Sequence, residues 1–134
     1  MRSKDFSWPV RVYYEDTDTG GVVYYANYLK FFERARTEWL RSLGLNQDKL
    51  TREEGLIFVV RRAQLDFLRP ARLDDMLDVT VEPLKLAHVY VDLTQEARCG
   101  VQVLARAQVR VACLTQRNFK PVPLPQSLRE SITT

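Results

Sequence analysis

The chain has 134 residues, a formal charge of +3, 46% hydrophobic residues and 28% charged ones. These proportions exclude a disordered or fibrous chain, and the length predicts one domain, residues 1–134, rather than two. Its basic residues are spread along the chain instead of forming one run, which argues against a nucleic-acid surface but suits a phosphate-bearing ligand.

The opening MRSKDFSWPV lacks the apolar run of a secretory leader. The longest apolar stretch, Leu56 to Val60, falls far short of the about 20 residues that cross a bilayer, so a cytoplasmic protein with no transmembrane segment is expected. The two cysteines, Cys99 beside Gly100 in an expected turn and Cys113 on an alternating apolar face, fit a reducing compartment.

Trp8 to Tyr14 mixes β-branched and aromatic residues, with Pro9 where an edge strand tolerates a missing donor, and is the first expected strand. Glu15-Asp16-Thr17-Asp18-Thr19-Gly20-Gly21 follows as a loop, because its carboxylates and paired glycines stop a regular strand. From Asn27 the spacing predicts a helix of about 16 residues. Leu29, Phe32, Arg36, Leu40 and Leu43 form one side, flanked by Tyr28, Phe31, Ala35 and Trp39, and Gly44 closes it as a left-handed cap. Asn27 is the expected N-cap.

Asn46 to Glu54 reads as a helical turn and Ile57 to Phe67 as a strand. Met76 to Leu86 alternates, His88 to Ala97 continues the alternation, and Cys99-Gly100 forms a hairpin turn. In the last strand Val101, Val103, Ala105, Ala107, Val109, Val111 and Cys113 share a face, and the proline-punctuated tail PVPLPQSLRE ends in a short helical turn. The order predicts an α+β fold in which a curved, mostly antiparallel five-stranded sheet wraps one long central helix.

The run from Tyr13-Tyr14-Glu15-Asp16-Thr17-Asp18-Thr19-Gly20-Gly21 through Tyr25-Ala26-Asn27-Tyr28-Leu29, closing with Glu33-Arg34-Ala35-Arg36-Thr37-Glu38, resembles the signature of the hotdog-fold thioesterases related to 4-hydroxybenzoyl-CoA thioesterase. It is most similar to the Tol-Pal system-associated acyl-CoA thioesterases. The resemblance extends to Phe58-Val59-Val60-Arg61, to Pro70-Ala71-Arg72-Leu73-Asp74-Asp75-Met76-Leu77 and to Lys120-Pro121. It implies hydrolysis of acyl-CoA to free acid and coenzyme A without a further cofactor or metal, coenzyme A being part of the substrate. It further implies that Asp18 is the catalytic carboxylate, as nucleophile or general base, and that the backbone N–H of Tyr25 polarises the carbonyl.

Such chemistry needs an anion beside an electrophilic carbonyl and donors aimed at the developing oxyanion, and the amides that open a helix are such donors. Gly20 and Gly21 let a thioester approach the backbone, with Val22 next in the substrate-binding run. Arg61, Arg62 and Arg72, with Arg69 and Lys85, are candidates for the coenzyme A phosphates. Tyr25 stands where several relatives carry a histidine, and the one histidine, His88, reads as an ordinary polar residue. Asp16 reads as a residue that tightens the loop presenting Asp18. The charges Glu33 to Arg36 and Arg34 to Glu38 read as local helix pairs.

A magnesium-dependent phosphatase loop would need a larger β-α domain. Counted from Asp16, a calcium loop would place Asn27 where a glutamate is required. One histidine and two separated cysteines give no zinc set. A hotdog dehydratase would be expected to use a histidine with an acid, and nothing marks His88 for that. The remaining alternative is a noncatalytic acyl-CoA-binding or scaffold protein of the Tol-Pal system. The resemblance also implies a homodimer or homotetramer joined through sheet edges with sites between subunits, and acyl carrier protein or envelope-associated proteins as partners.

Overall fold

The computed structural model describes residues 6–133. The elements are β1 (Phe6–Arg11), α1 (Asn27–Ser42), α2 (Gln47–Glu54), β2 (Leu56–Phe67), β3 (Met76–Leu86), β4 (Tyr90–Cys99), β5 (Gln102–Thr115) and α3 (Gln126–Thr133). The strands form one sheet in the order β1-β3-β4-β5-β2, antiparallel at every pairing. This is the expected α+β architecture, with helix distributed over three segments and α1 the longest of them.

Alternation decides which face of the sheet meets the helices. Leu77, Val79 and Val81 on β3, Val91 and Leu93 on β4, and Ala105, Ala107 and Val109 on β5 are buried in the same cluster as the helix residues Phe31, Phe32, Ala35 and Trp39. Burial of Phe31 and Phe32 contributes about 1.5–3 kcal/mol each. Leu124, Leu128 and Ile132 bring the chain's end into that cluster.

The buried stripe of α1 runs through Tyr28, Phe31, Phe32, Ala35, Trp39 and Leu40. Leu29, expected on the apolar side, is 52% exposed instead. The stripe is thus centred on residues 28, 31, 35 and 39, and Leu29 falls beyond its edge. The other end of α1 follows expectation: Gly44, at φ 86°, donates to the Arg41 carbonyl and Leu45 to the Leu40 carbonyl, the paired bonds of a glycine-terminated helix.

The first strand ends three residues earlier than the pattern predicted. The Tyr13 N–H donates to Asp16 Oδ2 at 2.8 Å, which draws Tyr14–Asp16 into a 3₁₀ turn instead of an extended run. The fourth strand starts at Tyr90 rather than His88, because residues 87–89 make the bend of the β3–β4 hairpin. Val101 is likewise not in β5: it shares the β4–β5 turn with Gly100 and is 99% exposed.

The two sheet edges differ. β1 is six residues long and contains Pro9, so it offers few donors to another strand. β2 is twelve residues long, contains no proline, and carries a bulge between Val60 and Arg62.

Candidate active site

Asp16 and Asp18 are two residues apart in opposite surroundings. Asp16 is 6% exposed, takes the Tyr13 N–H on Oδ2, and uses its backbone carbonyl to accept both the Tyr24 N–H and Asn27 Nδ2. It ties together the two ends of the loop. Asp18 is exposed, its Oδ1 accepts the Gly20 N–H at 2.8 Å, and its other carboxylate oxygen has no protein partner among the described residues.

The backbone around Asp18 is held firmly. Its N–H donates to the Val22 carbonyl and its carbonyl accepts the Gly21 N–H. Gly21 has φ 79°, a conformation that favours glycine, and a Cβ at Gly20 would lie 3.2 Å from Asp18 Oδ1. The glycine pair therefore serves the loop's own geometry as well as access to it. Val22 bridges Arg72 and Val23 donates to the Ala71 carbonyl, so the 70–75 segment backs the loop.

The helix start departs from expectation in a useful way. Ala26, not Asn27, is the N-cap, and no side chain caps the helix. The Asn27 side chain is committed to the Asp16 carbonyl instead, at 2.9 Å. Within the helix the first amides with acceptors are those of Asn27, Tyr28 and Leu29, which donate to the Tyr24, Tyr25 and Ala26 carbonyls. The N–H groups of Tyr25 and Ala26 have no acceptor among the described residues, and they sit at the positive end of α1. The Tyr25 ring is 56% exposed and meets Phe67 edge-on at 5.8 Å, joining the helix start to the far end of β2.

The arginine candidates separate into two groups. Arg72 lies beside Val22, and its own N–H donates to Asp75 Oδ2. Arg61 and Arg62 instead line an open groove with Tyr90, Arg110 and Pro121, which contains no residue of the Asp18 loop. In that groove Arg110 makes two hydrogen bonds to Asp92 and stacks 3.9 Å from the Tyr90 ring centroid, while Lys85 lies 5.7 Å from the same ring. The Arg110 hydrogen bonds lower the Asp92 pKa. Arg69 uses its backbone N–H on the Leu104 carbonyl. His88 lies at the β3–β4 bend, with Arg129 of α3 against its ring and carbonyl.

The expected Glu33–Arg36 and Arg34–Glu38 pairs are replaced by other partners. Glu33 accepts from the Thr37 hydroxyl, Glu38 pairs with Arg41 at 2.8 Å, and the Arg34 guanidinium lies 6.0 Å from the Phe31 ring centroid. Arg36 reaches across to β4 and donates to Gln95 Oε1 at 3.0 Å. Gln95 is fully buried, and its amide donates to the Phe32 and Thr80 carbonyls. The sequence held a signal for this link: Gln95 is a polar residue at an inward position between Leu93 and Ala97.

An exposed carboxylate followed by two unengaged amides at a helix start is an arrangement that can supply an acid–base group and an oxyanion site from one loop. Residues 12–132 match the thioesterase-like superfamily. The chain belongs to that superfamily and is a thioester hydrolase. It is 45% identical over 129 residues to an acyl-CoA thioesterase, YbgC, of Haemophilus influenzae, covering 96% of this chain and 95% of that one. Among solved structures, a probable thioesterase from Bartonella henselae is 38% identical with a TM-score of 0.84, covering 90% of this chain and 98% of that one. A 1,4-dihydroxy-2-naphthoyl-CoA thioesterase from Synechocystis is 29% identical with a TM-score of 0.88, covering 96% and 95%.

Proposed function

We propose that this chain, acting as one domain, hydrolyses acyl-CoA to free acid and coenzyme A, with Asp18 as the catalytic carboxylate. The observation that carries the reading is the pairing of an exposed Asp18 with the unengaged Tyr25 and Ala26 amides in one hydrogen-bonded loop. The thioester carbonyl oxygen accepts from the Tyr25 N–H, which stabilises the charge that develops as the carbon becomes tetrahedral. As general base, Asp18 takes a proton from the attacking water; as nucleophile, it forms an acyl-enzyme anhydride that water then opens. In either case the C–S bond breaks, the coenzyme A sulfur leaves with the electron pair, and the chain supplies every group without a metal or bound cofactor.

Gly20, Gly21 and Val22 line the approach of the thioester. Arg72, which bridges Val22, stands beside the loop to receive a coenzyme A phosphate, and Arg61 and Arg62 are further candidates on the edge strand β2. The Asp18 carboxylate is open to water, so the site calls for a second surface to dry it. Antiparallel pairing of two β2 edges supplies that surface and joins two sheets into one, giving a homodimer that can pair again into a tetramer. Among the described residues no helix is long and apolar enough to cross a membrane. We also assign the enzyme to the cytoplasm, in keeping with the free thiols of Cys99 and Cys113.

The test is release of free coenzyme A from a panel of acyl-CoAs by wild type and Asp18→Asn. A folded Asn variant that loses hydrolysis by about 10²–10⁴-fold supports the assignment. Unchanged turnover would remove Asp18 from the reaction, and no turnover of any thioester would leave a noncatalytic acyl-CoA-binding protein. Light scattering that finds only monomer would refute the edge pairing.

A further inference from the structure

A cavity of about 160 Å³ lies between α1 and the sheet, lined by Arg36, Trp39, Phe58, Val60, Val91 and Leu128 among others. Its size is close to that of an apolar cavity of about 150 Å³ that takes a benzene ring, so it holds about six non-hydrogen atoms. The exposed Glu33 also lines it, so the cavity reaches the surface beside the helix.

Its walls mix apolar side chains with the polar ones of Glu33, Arg36, Thr37 and Gln47, and Arg36 is the one cation among them. Arg36 is half-buried and makes one recorded hydrogen bond, to the neutral amide of Gln95. It takes part in none of the ion pairs among the described residues. Burial lowers its pKa, and the nearby Glu33, itself engaged by Thr37, only partly opposes that. No Arg36 nitrogen is buried without a partner among the described residues, so the donors that Gln95 does not take stay open to water, where an anion can meet them through charge-assisted hydrogen bonds.

We propose that this cavity receives the far end of the acyl group and that Arg36 makes it selective for short acyl chains ending in a carboxylate. The inference rests on the thioesterase reading and the edge pairing above. Antiparallel overlap of two β2 strands sets the Phe67 end of one, which carries Tyr25 against its ring, beside the Leu56 end of the other, where Phe58 and Val60 line the cavity. An acyl group held at Asp18 of one subunit then points into the cavity of its partner. The guanidinium meets the terminal carboxylate through charge-assisted hydrogen bonds, and the apolar walls take the methylenes between.

The experiment compares glutaryl-CoA with 5-methylhexanoyl-CoA, whose chain is nearly the same shape but ends in an isopropyl group. Wild type is expected to favour glutaryl-CoA in kcat/KM by about tenfold or more. Arg36→Met reverses the preference and Arg36→Lys restores part of it, whereas a merely structural role for Arg36 would lower both substrates alike. A wild-type ratio at or below one, or a ratio unmoved in the Met variant, overturns the proposal. If the Met variant does not fold, the wild-type ratio decides together with titration of wild type by glutarate and by 5-methylhexanoate, read by Trp39 fluorescence with Trp39→Phe as control. A saturable response to glutarate at lower concentration than to 5-methylhexanoate supports the site, and the opposite order removes it. Failure to hydrolyse any thioester counts against the enzyme reading alone, since the titration still reports on the cavity.

Discussion

The loop ahead of α1 has two halves that share a residue type and differ in everything else. Around Asp16 the carboxylate is buried, its Oδ2 takes the Tyr13 N–H, and its backbone carbonyl takes the Tyr24 N–H and the Asn27 amide, so its neighbours on both sides are tied to it. Around Asp18 the carboxylate is exposed, one oxygen is unused, and the amides that follow at Tyr25 and Ala26 have no acceptor. Unsatisfied groups are cheap at a surface and costly inside, so a fold keeps its reactive groups open only where water can stand in for the substrate. The Asp16 half builds the geometry, and the Asp18 half leaves it available.

The contrast makes opposite demands on two substitutions. Asp18→Asn should abolish most turnover while leaving stability within about 0.5 kcal/mol, as befits an exposed site. Asp16→Ala strands the Tyr13 N–H and should cost about 1–3 kcal/mol, a fall in melting temperature of roughly 3–9 °C. Equal stability losses in the two variants, followed by thermal denaturation, would erase the distinction between the halves.

Gly20→Ala sharpens the comparison from within the reactive half. The new methyl would meet Asp18 Oδ1 at 3.2 Å, so the carboxylate must shift by a few tenths of an ångström. A fall in kcat/KM of about tenfold with little change in melting temperature is expected, since misplacement of about 1 Å costs about 10²-fold. Full activity would show that Asp18 does not depend on its turn.

The smallest effect concerns the cysteines, which repeat the contrast between buried and open. Cys113 is buried and its thiol is pushed up to about 11 by burial, with Glu54 adding to the rise, whereas Cys99 is half-buried at a hairpin. At pH 8 Cys113 is almost wholly protonated and should resist alkylation in the native state, while Cys99 reacts first. Mass spectrometry of the modified chain checks this, and rapid labelling of both thiols would mean that the interior opens readily.

Much of this was readable because local chemistry decided it. Gly44 closes α1 where a glycine was needed, and the period-two face of Leu77, Val79 and Val81 is the buried face of β3. The misplaced features depend on residues far away in the chain. Asn27 reads as a cap until the Asp16 carbonyl, eleven residues back, claims its amide. Arg36 reads as a partner for Glu33 until Gln95, fifty-nine residues on, is brought beneath the helix. The pattern of α1 marked a wide apolar arc but not its centre, and Leu29 lies outside it. For the loop, the residue types were legible, but which amides stay open followed only from the backbone path.

The unequal edges of the sheet also set a valence. A unit with two open edges behaves as a difunctional monomer and grows into fibres, whereas a unit with one open edge is a chain stopper that couples once and ends. β1, short and interrupted by Pro9, closes one side, while β2 with its twelve residues leaves the other open. If two β2 edges pair as proposed, association through the sheet ends at a pair, and lengthening β1 or replacing Pro9 is the change that would turn a discrete particle into a polymer.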